Sequence, residues 1–263
     1  MNNIWLLLVV FALLGCVSLE GTDFSVVDSH EAGNRTSYAM TDWVDKKAID
    51  PAARGYRMVT PDWFRSGVGN FFANLRGIDS AINGFLQGKA KSGATDIARL
   101  LMNSTIGLGG IIDVAANFGL EHQQEDLGQT FATWGIRQTR YLYLPLIGPT
   151  TLRDMPGKMI NVALPRLVLG GGYGWLVGGL DLLSAREDLL TATDARDATA
   201  LDPYAFTREA YHQRRKFLIF DGDPPFDDFF DESDEVGLTA ERVDGVEIVD
   251  GVEDVDGVEG NKE

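Results

Sequence analysis

From Thr60 to Gly88 the apolar residues fall three and four apart, and this pattern narrows the possible folds more than any other feature of the chain. Phe64, Val68, Phe71, Phe72, Leu75, Ile78, Ile82, Phe85 and Leu86 form the series, with Arg65, Asn70, Asn74, Arg76, Asp79 and Asn83 between them. The spacing predicts an amphipathic helix of about six or seven turns. Thr60-Pro61-Asp62 reads as its start: a capping hydroxyl, a proline at the first helical position and an acid in the first turn. So wide an apolar face needs cover, either from a protein core, which is the commoner case, or from lipid.

The remaining body is read as mainly α. A shorter helix is expected from about Thr95 to Asn103, broken by Ile106-Gly-Leu-Gly-Gly110, with helix again from Ile111 to Phe118. Arg208 to Phe220 reads as another helix, with Arg214, Arg215 and Lys216 near its end. The best strand is Tyr141 to Leu144, stopped by Pro145 and suited to one arm of a short hairpin. Met159 to Leu180 is almost wholly apolar but carries Asn161, Pro165 and Arg166. A spanning helix would not hold a Pro-Arg pair near its first third. Gly170, Gly174 and Gly178 suit close helix packing in lipid, and the triple glycine at 170–172 equally suits a turn between two short helices. Both readings place helices within or against a membrane.

The N-terminus points to export. Ile4 to Leu14 is eleven apolar residues, too short to cross a bilayer core of about 30 Å but the length of a signal-peptide core. Leu13-Leu-Gly-Cys16 resembles the lipobox of bacterial lipoproteins, in which residues 1–15 are removed and Cys16 is acylated. An ordinary signal peptide with an incidental cysteine is the alternative. Cys16 is the chain's one cysteine, so no intramolecular disulfide can form and the fold must rest on its own core or on the membrane. Several acyl chains on Cys16 would make attachment permanent. Val17 stands where an Asp would signal inner-membrane retention in enteric-type bacteria, which favours the outer membrane.

Charge is distributed very unevenly. From Asp221 onward 17 acidic side chains face only Arg242 and Lys262, which accounts for almost all of the net −16. The same stretch repeats a hexapeptide three times, from Val243, Val249 and Val255, and is expected to be a disordered, solvated tail. No basic patch offsets it, which argues against nucleic-acid binding. Reactive chemistry is equally hard to find. His122 lies in Glu121-His-Gln-Gln-Glu125-Asp126, which lacks the paired-histidine spacing of a helical zinc site and reads as a polar surface turn. Ser104 and Ser184 have no evident base, and the glycines at 107, 109 and 110 lack the strand and lysine of a phosphate loop. No catalytic residue, metal ligand or cofactor is expected.

Several ordered runs resemble the MlaA (VacJ) family of outer-membrane lipoproteins. They include Val68-Gly-Asn70-Phe-Phe-Ala-Asn74-Leu, Asn83-Gly-Phe-Leu-Gln87-Gly88-Lys89 and Arg99-Leu-Leu-Met-Asn103-Ser-Thr-Ile-Gly107-Leu-Gly109-Gly110-Ile-Ile-Asp113. Glu125-Asp126-Leu-Gly128-Gln129-Thr130, Leu144-Pro145-Leu-Ile-Gly148-Pro149, Leu152-Arg153-Asp154, Asp202-Pro203-Tyr204 and Arg208-Glu209-Ala-Tyr211 continue in family order. The match covers about residues 28–220.

The resemblance implies a ring-like assembly of amphipathic helices lying in the outer membrane around a polar channel, with at most a short β-hairpin. It implies three segments: a signal peptide at 1–15, a helical membrane domain at 16–220 and the acidic tail at 221–263. The implied function is a passive channel, not an enzyme, that removes mislocalised phospholipid from the outer leaflet. The implied partners are phospholipids, the outer-membrane bilayer, a periplasmic lipid-binding carrier of the Mla system and a trimeric porin. A structural lipoprotein that scaffolds porins without passing lipid is the alternative. Two departures from the family pattern stand out. Asp28-Ser-His-Glu31-Ala-Gly-Asn34-Arg35 keeps only part of the family's opening motif, and Arg137-Gln-Thr-Arg140 fills a place where glycines are usual. Arg137 and Arg140 are therefore candidate contacts for lipid phosphates, or else exposed basic loop residues.

Overall fold

The computed structural model describes residues 26–137, 139–169 and 174–225. The leader, Cys16, the glycines at 170–172 and the acidic repeats lie outside the described residues.

The body is mainly helical, as the periodicity requires. α1 (Glu31–Val44) runs through a π-turn at Asp45–Ile49 into α2 (Asp50–Val59). α3 (Asp62–Leu86) is the long predicted helix, and α4 (Ala90–Thr105) packs against it. The two approach closely where Gly84 meets Gly93. A Cβ on Gly84 would sit 2.9 Å from the Gly93 nitrogen, so a side chain at the crossing would force the helices apart.

The start of α3 differs from its sequence signature. Thr60 closes α2, and its hydroxyl donates to the Tyr56 carbonyl, which leaves Pro61 as the capping residue. The stretch expected to be helical from Ile111 is a turn followed by one short helix, α5 (Val114–Asn117). Asp113 starts it by accepting from the Ala116 amide at 3.2 Å, so the helix cannot extend further back.

α6 (Leu127–Thr133) is capped in the same way by Asp126. A hairpin follows, β2 (Thr139–Leu144) against β3 (Gly148–Thr151), antiparallel with Tyr141 opposite Thr151. The sheet exceeds the expected hairpin by one short strand. β1 (Val26–Val27) pairs with β2 in parallel, Val26 opposite Thr139 and Val27 opposite Arg140. Two residues bearing no turn signal cannot announce such a strand locally; the free edge of β2 recruits them.

α7 (Met155–Leu169) and α8 (Gly174–Asp188) flank the triple glycine and pack on one another. Among the described residues no helix is long and apolar enough to cross a membrane. α9 (Leu190–Thr199) leads to α10 (Pro203–Ile219), which starts five residues before the expected Arg208. Asp202 accepts from the Tyr204 and Ala205 amides at 3.0 and 3.2 Å, and Pro203 fills the first turn, where it has no amide hydrogen to leave unsatisfied.

The aromatic core gathers where α1, the hairpin and α10 meet. Tyr38, Tyr141, Tyr143 and Tyr204 are buried, with Tyr211 packed against them. The rings meet edge to face, Tyr38 and Tyr143 at 5.3 Å and Tyr38 and Tyr204 at 5.7 Å. The partial opening motif is what ties α1 to this core. Asn34 donates to Asp28 at 2.8 Å and accepts from the Tyr143 amide at 2.9 Å, while Tyr204 donates to Asp28 at 2.6 Å. Burial opposes ionisation of Asp28, but these bonds and Arg208 outweigh it and hold the carboxyl below its usual range.

Candidate functional site

Along part of its length α3 is turned inside out relative to a soluble protein, although Phe72 and Leu75 stay buried. Its polar residues Asn74, Asp79, Ser80 and Asn83 are buried, whereas Trp63, Ile82, Phe85 and Leu86 are exposed, Ile82 by 54%. α4 repeats the inversion, with Asp96 and Asn103 inside and Ile97 and Leu101 outside. Exposed apolar residues continue on α7 at Leu167 and Val168 and on α8 at Leu176 and Leu182. An apolar surface of this extent marks contact with lipid or a partner.

The buried polar groups hold one another. Asn83 donates to Asp79 at 3.0 Å and accepts from Thr130 at 2.8 Å, and Asn161 on α7 donates to Asp79 at 3.2 Å. Asn74 donates to Ser104 at 3.0 Å, and Asn103 donates to Asp113 at 2.9 Å. Gly110 lies against Asn74 with φ at +97°; a Cβ there would come within 2.7 Å of the amide. The glycine-rich turn is thus a backbone fit over a buried asparagine.

Two polar clefts open along this face. The first, about 560 Å³, lies between α3 and α8, with Arg65, Asn70 and Arg76 opposite Asp181, Ser184 and Glu187. The second, about 380 Å³, is bounded by α3, the segment before α6, α7 and α10. Ala73 and Arg76 line both, so the clefts meet on the polar face of α3. Arg76 pairs with Asp181 across the first cleft, and Glu187 takes Arg57 at 2.6 Å and Arg65 at 3.3 Å. In the second cleft buried Arg215 bridges Asp126 at 2.6 Å and Asp154 at 3.0 Å, and Tyr211 donates to Asp154 at 2.8 Å.

The interior field sets the ionisation of these groups. Burial, and then the Asp126 carboxylate, push Asp79 up to about 6. Asp154 goes the other way: burial works against its charge, but Arg215 and Arg153 prevail and hold it far below the usual range. Burial and Arg215 bring the Lys158 ammonium down to about 8, with Asp154 opposing them. A lined, charged passage of this kind can bind and release a polar headgroup. In the second cleft Ser80 and His122 each bond Asp96 and not one another. Ser184 has no histidine beside it in the first cleft, and Ser104 accepts from Asn74.

The sequence candidates are dispersed. Arg137 and Arg140 are both exposed, and neither lines either cleft. Arg140 is a strand residue rather than a loop residue, paired with Val27, and its carbonyl accepts from Leu152 at 3.1 Å. The Arg137 carbonyl accepts from Arg153 at 3.3 Å. Cys16 lies outside the described residues. His122 is no surface turn: its ring pairs with the fully buried Asp96 side chain at 2.9 Å, because the segment before α6 folds back onto α4. Lys158 and Asp181 escaped attention in the sequence. Each is a single charge in an otherwise apolar run, which is the one local signal that could have marked them.

Comparison with known proteins is consistent over the same span. The MlaA lipoprotein family model matches residues 26–218. The Escherichia coli (strain K12) intermembrane phospholipid transport system lipoprotein MlaA is 33% identical over 223 residues, covering 80% of this chain and 86% of that protein. Its Haemophilus influenzae counterpart is 30% identical over 226 residues, covering 82% and 89%. An uncharacterized Rickettsia bellii protein is 32% identical over 197 residues, covering 74% and 77%. A structure solved as the structural basis for maintenance of bacterial outer membrane lipid asymmetry superposes with a TM-score of 0.62 at 31% identity. It covers 73% of this chain and 99% of its own.

Proposed function

This chain belongs to the MlaA lipoprotein family, and we propose that it is an outer-membrane lipoprotein that passes phospholipid from the outer leaflet toward a periplasmic carrier. The inversion of α3 carries this reading: apolar side chains outward, asparagines and charges inward along two joined clefts. Amphipathic helices lying in a bilayer expose apolar faces to lipid, and a polar lining offers a headgroup what water would otherwise supply. Passage of this kind breaks no covalent bond. Complementation of a strain lacking its own family member is the test. Restored lipid asymmetry and detergent resistance support a channel; restored envelope complexes with phospholipid still in the outer leaflet would make the chain a scaffold.

Cys16 is the proposed acylation site, on the periplasmic side, and a trimeric porin is the proposed neighbour in the membrane. Cys16→Ala behind a cleavable signal peptide is expected to misplace the protein. Arg137 and Arg140 are proposed contacts for lipid phosphates at the surface. An Arg137→Gly, Arg140→Gly double variant is expected to lower lipid export several-fold, and unchanged export removes them from the path.

A further inference from the structure

The three carboxylates that line the second cleft are already paired, and two of its cations are left without an ion pair. Asp126 and Asp154 are occupied by Arg215, Asp154 additionally by Arg153, and Glu125 by Lys89 at 2.9 Å. Arg76 is taken by Asp181 in the neighbouring cleft. Lys158 and Arg214 line the same cleft and form no ion pair among the described residues. Lys158 Nζ donates to the Pro149 carbonyl at 2.6 Å, and Arg214 Nη2 donates to Gln124 Oε1 at 2.8 Å. An ammonium has three donors and a guanidinium five, so each retains donors for a further acceptor.

A largely buried cation without an ion-pair partner is costly, and the fall of Lys158 to about 8, against the pull of Asp154, registers that cost. An incoming anion would remove it. Lys158 projects from α7 and Arg214 from α10, so the two cations come from different walls of a space of about 380 Å³, which is ample for a small polar group. We propose that Lys158 and Arg214 form a phosphate subsite that takes the phosphodiester of a phosphoglyceride headgroup as it passes through the second cleft. A phosphodiester fits because it carries one negative charge and two free oxygens, one for each cation. The proposal rests on the lipid-passage reading above and adds to it the group that is recognised and the place where it pauses.

The experiment uses the full chain in detergent micelles and three probes: dihexanoylphosphatidylglycerol, inorganic phosphate and dihexanoylglycerol, which lacks phosphate. The phosphatidylglycerol is expected to bind, and a Lys158→Gln, Arg214→Gln double variant to weaken it by about tenfold or more. Lys158→Arg is expected to retain binding within about twofold, because the charge remains. Dihexanoylglycerol should bind the variant and the parent alike. Arg214 is exposed, so Arg214→Gln alone, expected to weaken binding about threefold, decides the matter if the lysine variant melts early. Equal binding of phosphatidylglycerol by parent and double variant overturns the subsite. Inorganic phosphate bound as tightly as the lipid overturns the headgroup assignment in favour of free phosphate. The two levels separate in cells: export intact with no dependence on Lys158 or Arg214 sinks the subsite alone, whereas a parent chain that exports no lipid sinks the transport reading itself.

Discussion

Two regions of this molecule obey opposite rules. Around Tyr38, Tyr141, Tyr143 and Tyr204 the apolar rings are inside, as in a soluble domain, and burial pushes the Tyr143 phenol up to about 12. Around α3 asparagines and carboxylates share the inside with Phe72 and Leu75, and Ile82, Phe85 and Leu86 lie outside. The difference shows that one chain can be held by ring packing at one place and by hydrogen bonds and ion pairs at another. The second arrangement is tolerable only if its outer face meets something apolar, since exposed Ile and Leu gain nothing from water.

The contrast can be broken directly at Arg215. Arg215→Met leaves half-buried Asp126 without its cation and buried Asp154 with Arg153 alone, and a loss of about 3 kcal/mol is expected in chemical unfolding of the detergent-solubilised protein. A loss below about 1 kcal/mol would mean that the polar interior is wet rather than structural. Tyr141 and Ile82 test the two regions side by side. Tyr141 is fully buried, so Tyr141→Ala should cost about 3–4 kcal/mol. Ile82→Ala should change stability in detergent by no more than about 0.5 kcal/mol while reducing flotation with liposomes. Equal costs at the two positions would erase the distinction between the regions.

Asp79 sharpens the comparison by pH. Its folded carboxyl titrates near 6, above the 3.8 of an unperturbed side chain, so between those values the folded protein binds the proton more tightly than the unfolded chain. Stability therefore falls as pH rises from about 4 to about 6 and stays lower above that. Asp79→Asn removes the charge and keeps one oxygen, which can accept from Asn83 or from Asn161. Its advantage in melting should be near zero at pH 4 and about 1–2 kcal/mol at pH 7. An advantage that does not vary with pH would show that the Asp79 carboxyl titrates alike in the folded and unfolded chain.

Much of this was legible locally. The extent of α3, the hairpin at Tyr141 and the division of the apolar run into α7 and α8 follow from spacing and turn residues, whereas Pro165 lies inside α7 and does not end it. Helix starts were legible only in part. Thr60 looked like a cap and serves the preceding helix, while Asp202-Pro203 is the true start of α10. Both pairs satisfy the same rule, and the choice between them depends on which neighbouring backbone amides remain without partners. The cleft residues were the least legible. Nothing near Lys158 in the chain announces Arg214, 56 positions away, because a site assembled from α7 and α10 exists only once both helices pack.

The periodicity of residues 60–88 by itself established that α3 has one apolar and one polar face, because 3.6 residues per turn sort side chains whatever surrounds them. It could not establish which face looks inward. Local spacing defines a direction only relative to the helix, and the commoner expectation, apolar side in, holds for Phe72 and Leu75 but not for Ile82, Phe85 and Leu86. Tertiary structure decided that question. Asn161 and Thr130 meet the polar face of α3, Asp96 is buried on α4, and the tyrosines gather elsewhere. Once the asparagines and Asp79 have partners inside, the cheapest place left for Ile82, Phe85 and Leu86 is the outside.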